Sequence, residues 1–132
     1  MIELTIPDIA PSANHFYAGM NVHARRKLAH QWHGMVILAA KQQKIRRLEA
    51  NQYPVDIECR CLFGKGRRIL DADNLFPTIK LVLDGLILAK ILQDDSPRYI
   101  RSVRLVPSRI TGKNSVSRIL IIPITEQEES AA

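Results

Sequence analysis

Four stretches of the chain alternate between apolar and polar residues, which predicts four β-strands. They are residues 2–6, 54–63, 99–106 and 116–124. In the second stretch the residues expected on one buried face are Val55, Ile57, Cys59, Cys61 and Phe63. The last two stretches are joined by PSRITGKNS, a composition typical of a hairpin loop. We therefore expect the last two strands to form a hairpin.

Two further stretches repeat their apolar residues at helical spacing. In residues 25–47 the recurring positions are Leu28, Trp32, Met35, Val36 and Ala39. A second helix is expected to begin near Asp73. At about 100° per residue, its core side gathers Leu75, Ile79, Val82, Leu83 and Leu86. Its opposite side carries Asp73, Pro77, Lys80 and Asp84. The order β-α-β-α-β-β predicts an α+β (mixed α/β) fold with a small mixed sheet and two helices.

The chain length fits a single domain. With 132 residues, 46% hydrophobic and 24% charged, the composition is that of an ordinary soluble globular protein. We assign the domain to residues 1–125 and expect residues 126–132, an acidic polar tail, to be disordered. No apolar run approaches the roughly 20 residues that span a bilayer, and the N-terminus lacks a signal-peptide pattern. We therefore expect a cytoplasmic protein without membrane contacts.

The charge distribution favours a polyanionic partner. Lys and Arg number 19 and Asp and Glu number 13, for a net charge of +6. Three of the acidic residues belong to the tail, so the body carries 19 basic and 10 acidic residues, a charge of +9. Nucleic acid is the commonest such polyanion; the alternative is a merely basic soluble protein. The residues expected to contact DNA phosphates are Arg25, Arg26, Lys27, Arg67 and Arg68.

Some of these residues have equally ordinary interpretations. The basic residues of the first helix could form a solvated charged face, and Asn14 could be a turn residue rather than a phosphate ligand. A zinc site built from His30, His33, Cys59 and Cys61 matches no zinc-finger spacing and is not favoured. The two cysteines alternate on one strand, which favours unpaired thiols in a reducing compartment.

Residues 71–95 concentrate acidic side chains. Five of the 13 acidic residues lie there, namely Asp71, Asp73, Asp84, Asp94 and Asp95. Two bare carboxylates about 4 Å apart repel by on the order of 4 kcal/mol at an effective dielectric constant near 20, which a bound cation relieves. Oxygen ligands favour Mg²⁺, with Mn²⁺ as a substitute. On a phosphate-binding body, the metal would serve phosphodiester hydrolysis, with Lys80 as a fixed positive charge.

Each acidic residue also has a purely structural alternative. Asp73 could be the N-cap of its helix. Lys80 and Asp84 could form an ordinary i,i+4 surface ion pair. Asp94 and Asp95 could be a polar turn before Ser-Pro.

The segment DADNLFPTIKLVLDGL followed by QDDS resembles the signature of the RusA family of Holliday junction resolvases. That signature is D-x-D-N-L, then a Lys with an Asp four residues later, then an Asp-Asp pair. The earlier segment PSANHFY is similar to the family's Pro-Ser-x-Asn-x-x-Tyr motif. Two departures are visible: Lys80 follows the second Asp by seven residues rather than four, and Leu70 stands where the family often has a basic residue, a place that Arg67 or Arg68 would take.

The resemblance implies a homodimeric, Mg²⁺-dependent endonuclease, of phage or prophage type, that binds four-way DNA junctions and nicks two strands symmetrically in recombination and repair. It implies that Asp71, Asp73 and Asp95 bind the metal, with Asp94 as a weaker ligand, and that Lys80 is catalytic. Leu81 and Leu88 lie off the core stripe of the second helix and are expected at the dimer interface.

Two other functions stay open from the sequence. One is a metal-dependent nuclease that cuts other branched or flapped DNA. The other is a non-catalytic module that binds branched DNA and uses its acidic residues only as fold caps.

Overall fold

A computed structural model describes residues 1–126 of the 132. Its strands and helices are β1 (Ile2–Ile6), α1 (Val22–Gln42), β2 (Val55–Phe63), α2 (Phe76–Leu88), β3 (Ile100–Arg109) and β4 (Val116–Ile122). This order confirms the predicted α+β class with a mixed sheet and two helices. All of the predicted tail except Glu126 lies outside the described residues. Within residues 1–126, no helix is long and apolar enough to cross a membrane.

The sheet has the strand order β1-β4-β2-β3. β4 is antiparallel to both β1 and β2, whereas β3 is parallel to β2. The predicted hairpin of the last two strands is therefore wrong, because β2 lies between them. Burial explains the arrangement: Ser117, Ile119 and Ile121 are completely buried, so β4 occupies a central position. β3 exposes residues 101–104 and lies at the edge.

The loop after β3 is held at the end of β2. Lys65 N–H donates to the Gly112 carbonyl at 2.7 Å, and Gly64 N–H donates to Ser115 Oγ at 2.9 Å. A Cβ on Gly64 would lie 2.3 Å from the Lys113 carbonyl oxygen, so only glycine allows this close approach. These bonds let residues 110–115 pass from one side of β2 to the other.

One face of the sheet carries the core. The predicted inner residues of β2 (Val55, Ile57, Cys59, Cys61 and Phe63) are all at most 2% exposed. Cys59 and Cys61 are unpaired thiols with their sulfurs 3.9 Å apart, as the strand spacing predicts. Fully burying a Val, Ile or Phe side chain stabilises the fold by about 1.5–3 kcal/mol, so this face of the sheet contributes most of its packing energy.

Helix α2 is buried around most of its circumference. Its predicted core residues Leu75, Ile79, Val82, Leu83 and Leu86 are buried, as expected. Pro77 was predicted on the polar side but is buried, because it lies in the first turn of α2, where the chain enters the core. Leu81 is 3% exposed within this chain, so its predicted role at a dimer interface is wrong; Leu88 is 59% exposed.

Both helices end in the same hydrogen-bonded motif, with a lysine at its left-handed position. After α1, Lys44 has a φ of 56°, and Ile45 N–H donates to the Ala40 carbonyl at 2.9 Å. After α2, Lys90 has a φ of 60°, and Ile91 N–H donates to the Leu86 carbonyl at 3.0 Å. Helix α1 therefore ends at Gln42, five residues before its predicted end.

Candidate active site

Asp71 and Asp73 lie where the chain enters α2. Asp71 has an extended backbone and precedes a 3₁₀ turn, Ala72–Leu75, that contains Asp73. The N-cap of the 3₁₀ turn is Asp71 and the N-cap of α2 is Leu75, and within residues 1–126 neither cap residue's side chain bonds the N–H groups that follow it. The interpretation of Asp73 as the N-cap of its helix is therefore wrong. Both carboxylates are exposed.

These two carboxylates differ from the other acidic residues. Within residues 1–126 each of the others either pairs with a basic group or accepts a hydrogen bond. They are Glu3, Asp8, Glu49, Asp56, Glu58, Asp84, Asp94, Asp95 and Glu126. In the same part of the chain, the side chains of Asp71 and Asp73 form no hydrogen bond and no ion pair. They are free to bind a cation.

The backbone around this turn is fixed from several sides. Asn74 N–H donates to the Asp71 carbonyl at 2.9 Å and closes the turn. The backbone N–H of Asn14 approaches Asn74 Oδ1 at 3.4 Å, and Ala10 N–H donates to the buried Thr78 hydroxyl at 3.0 Å. The N-terminal loop is thus fastened beside the turn that carries Asp73. The Asn14 residue itself is exposed beside it.

Lys80 links two acidic residues from different elements. Its Nζ lies 3.2 Å from Asp84 Oδ1 and 3.2 Å from Asp95 Oδ2. Partial burial alone lowers the pKa of Lys80, but the hydrogen bonds and charges of Asp84 and Asp95 outweigh it, so the net pKa lies above its usual value. The i,i+4 ion pair exists, but it is half of a three-residue bridge that joins α2 to the loop after it.

Asp94 and Asp95 have different surroundings. Asp94 Oδ1 accepts from Asp95 N–H at 2.8 Å, as in a polar turn, whereas the Asp95 carboxylate turns toward Lys80. The structure therefore brings Lys80, Asp84 and Asp95 together. Asp73 precedes Lys80 by seven residues, across the 3₁₀ turn and the start of α2, a rise of roughly 10–14 Å at 1.5–2.0 Å per residue. Lysine side chains on a helix lean toward its N-terminus, which shortens this separation.

Within residues 1–126, no three His, Cys, Asp or Glu side chains are close enough together to hold a metal ion. The four predicted metal ligands do not form one cluster, and the histidine–cysteine zinc site is likewise not assembled. Mg²⁺ is usually held by one or two carboxylates together with water and substrate phosphates. The unpaired oxygen donors of Asp71 and Asp73 fit that ion.

The predicted DNA-binding arginines divide into two groups. Arg67 donates to Asp8 Oδ1 at 3.2 Å and to the Ile9 carbonyl at 2.8 Å, and its guanidinium lies 5.7 Å from the Phe63 ring centroid. Arg67 thus holds the N-terminal loop against β2. Arg68 is exposed in the same loop. The cations at the start of α1 are Arg25, which approaches the Tyr17 carbonyl at 3.5 Å, and the exposed Arg26 and Lys27.

The positive charges of these cations do not stabilise helix α1 electrostatically. Its first turn contains no acidic residue, and positive charges near a helix N-terminus oppose the helix dipole. Asn21 Oδ1 caps the helix instead, accepting from Ala24 N–H at 2.8 Å. A basic helix start that is unfavourable for the fold is consistent with a binding role.

Arg109 belongs to a basic stretch of the sequence but was not predicted as a site residue. Its Nη1 donates to the Gly64 carbonyl at 2.7 Å and to the Arg67 carbonyl at 2.6 Å, so it holds the loop that leads into Asp71. No pattern in the sequence distinguishes Arg109 from the other basic residues, because its partners are backbone carbonyls more than 40 residues away.

Neither a scan against protein-family models nor a search of curated proteins finds a match to this chain.

Proposed function

We propose that this protein is a Mg²⁺-dependent, structure-selective endodeoxyribonuclease that resolves four-way DNA junctions as a homodimer. The observation that carries the proposal is the pair of exposed carboxylates on Asp71 and Asp73, which have no partner within residues 1–126. An exposed acidic pair on a basic body weakens phosphate binding unless a cation neutralises it. The motif resemblance supports the choice of a junction as substrate.

Each residue of the site has a role in this proposal. Asp71 and Asp73 would hold the metal, and Asp95, which pairs with Lys80 in this structure, would be the third ligand. The bound metal would lower the pKa of a water molecule and neutralise negative charge on the phosphate. Lys80 would stabilise the transition state as a fixed cation, since even the ordinary lysine pKa of 10.5 keeps it protonated at neutral pH. Arg26, Lys27 and Arg68 would contact the DNA backbone.

The substrate class is tested by comparing labelled four-way junctions, flaps and linear duplex, each with Mg²⁺ and with EDTA. We expect paired nicks at symmetric positions on the junction and little cleavage of the other two, with EDTA abolishing all cleavage. Equal cleavage of flaps would favour a nuclease for other branched DNA. Junction binding without nicks in Mg²⁺ or Mn²⁺ would favour the non-catalytic module.

A further inference from the structure

A cavity of about 620 Å³ opens beside the segment that carries Asp94 and Asp95. Its walls include two arginines, two tyrosines and two other polar residues. They are Arg47, Arg98, Tyr53, Tyr99, Gln93 and Glu49. The volume lies within the roughly 300–1,000 Å³ of small-ligand sites. Aromatic and cationic side chains in one cavity fit a ligand that is both planar and anionic.

The aromatic part of the cavity is a fixed corner. The Tyr53 and Tyr99 rings meet edge to face, with centroids 5.0 Å apart and planes at 83°. The Tyr53 hydroxyl accepts from Gln93 N–H at 2.9 Å, which ties the ring to the loop after α2. Tyr53 and Tyr99 are only partly exposed, so each ring is already held in place. Stacking a base on either ring therefore costs little further tyrosine side-chain entropy.

The two arginines supply charge without strong internal partners. Arg98 Cζ lies 5.6 Å from the Tyr99 ring centroid, and Arg47 Nη2 approaches Gln93 Oε1 at 3.5 Å. Neither forms a salt bridge with a described residue. Among the described residues, Glu49 is the acidic residue of the lining, and its carboxylate is engaged by the backbone N–H of Gln52 in a capping box. Arginine can both pair with a phosphate and stack on a base.

The position of the cavity relates it to the acidic residues. Gln93 and Asp95 are two residues apart, so their Cα atoms are at most about 8 Å apart. Successive bases of a stacked strand are about 3.4 Å apart. A base in the cavity would therefore belong to a nucleotide close in the strand to a phosphate beside Asp95.

We infer that this cavity receives an unstacked nucleobase of the bound DNA strand, stacked on Tyr99, with the adjoining phosphate held by Arg98 and Arg47. This inference rests on the proposed function, because it names a further contact of the same substrate. Branch points are where bases lose a stacking neighbour, so unstacking a base costs least there. The cavity would thereby align the strand with the acidic site.

The test is binding of four-way junctions in Ca²⁺, with a single abasic position moved along the five nucleotides on either side of the branch. Wild type is compared with Tyr99→Leu, which keeps apolar bulk but removes the aromatic face. We expect one position at which losing the base weakens wild-type binding about tenfold. At that position the abasic change should not weaken Tyr99→Leu further. Equal sensitivity of both proteins at every position would overturn the inference.

A charge-matched pair provides a second variant. Arg98→Ala should weaken junction binding more than Arg104→Ala, an exposed arginine of β3 that pairs with Glu58. Equal losses would contradict a specific phosphate contact. If the wild-type protein binds no junction at all, both the proposed function and the cavity assignment fail. If it binds and cleaves junctions but no abasic position matters, only the cavity assignment fails.

A free nucleotide has the same chemistry as a nucleotide in a strand. Calorimetric titration with deoxyadenosine monophosphate shows whether the cavity binds a free nucleotide rather than a nucleotide of the DNA strand. Saturable binding of the mononucleotide that Tyr99→Leu abolishes, without any abasic-sensitive position in the junction, would assign the cavity to a free nucleotide and overturn the strand contact.

Discussion

Among individual residues of the candidate site, Lys80 is the one whose charged group is held between two carboxylates. It lies 3.2 Å from a carboxylate oxygen of Asp84 and of Asp95, and these partners raise its pKa despite the opposing effect of partial burial. The stability from these contacts is complete below the ordinary lysine pKa of 10.5 and is lost only as pH rises through the raised value. Lys80 is therefore suited to stabilise anionic charge rather than to accept a proton.

Replacing Lys80 with Met should lower the rate of junction cleavage by about 10²–10³-fold, the usual effect of losing one electrostatic donor to a transition state. Lys80→Arg keeps the charge and should retain more activity. Single-turnover cleavage in Mg²⁺ measures the rate, and binding in Ca²⁺ should change only slightly.

The matched control for this prediction is Lys41→Met, which removes an exposed lysine from the last turn of α1. It should cleave at the wild-type rate. If Lys80→Met also cleaves at the wild-type rate, Lys80 has no catalytic role and only forms surface ion pairs.

Among secondary-structure elements, the ends of the helices show how tertiary contacts override local pattern. Gln43 directly follows α1, and its side chain accepts from Thr5 N–H at 2.9 Å and donates to the Thr5 carbonyl at 2.8 Å. It thereby pairs with β1, an edge strand. The next residue, Lys44, takes a left-handed backbone that usually favours glycine.

Lys44→Gly should therefore raise the free energy of unfolding by up to about 1 kcal/mol, because glycine adopts this backbone without steric cost. Urea denaturation measures the change. Lys41→Gly, in the last turn of α1, should instead lower stability by at most about 1 kcal/mol. A loss of stability in Lys44→Gly would contradict the left-handed helix end.

The crossing of α1 and α2 depends on Gly85. A Cβ added there would lie 2.8 Å from Val36 Cβ, a distance that requires the two helices to separate. Gly85→Ala should destabilise the protein by about 1–3 kcal/mol, despite the better helix propensity of alanine. Gly34→Ala is the control, since nothing lies within 4 Å of its added Cβ, and it should be neutral or stabilising in the same urea titration.

The periodicity of apolar residues predicted the features that depend on residues close together in the chain. It placed β1 and β2 within a residue of their observed bounds, and it identified the buried side of α2. It missed the end of α1 because Lys44, rather than glycine, terminates the helix. It also paired β3 with β4, because a loop of hairpin composition carries no information about β2, the strand that lies between them.

The candidate site was predictable only in part, because local sequence patterns do not show contacts between distant parts of the chain. Residue spacing identified the acidic segment and the Lys80–Asp84 pair. It could not show that Asp95 reaches Lys80 from another element, that Asp73 caps no helix, or that Arg67 is engaged by Asp8 and Ile9 rather than exposed to a ligand. Those facts depend on contacts between residues far apart in the chain.

At the scale of the whole molecule, some acidic residues have ionic partners and others do not. Acidic residues on the outer side of the sheet are paired, as in the contact between Asp56 and Arg101 at 2.6 Å, which together with a Ser102 hydrogen bond lowers the pKa of Asp56. Among the described residues 1–126, Asp71 and Asp73 have no ionic partner just before α2, on a protein with a net charge of +6. This contrast is the physical basis for proposing a metal-dependent nuclease.

The most direct measurement is cleavage of a labelled four-way junction in Mg²⁺ by wild type, Asp73→Asn and Glu3→Gln. Glu3→Gln makes the same charge change at a surface ion pair with Arg118 on the sheet, and it should cleave like wild type. The proposal predicts paired symmetric nicks that Asp73→Asn abolishes, while Asp73→Asn still binds the junction in Ca²⁺. Wild-type cleavage by Asp73→Asn, or junction binding by the wild type without any nicks, would contradict the proposed metal-dependent cleavage.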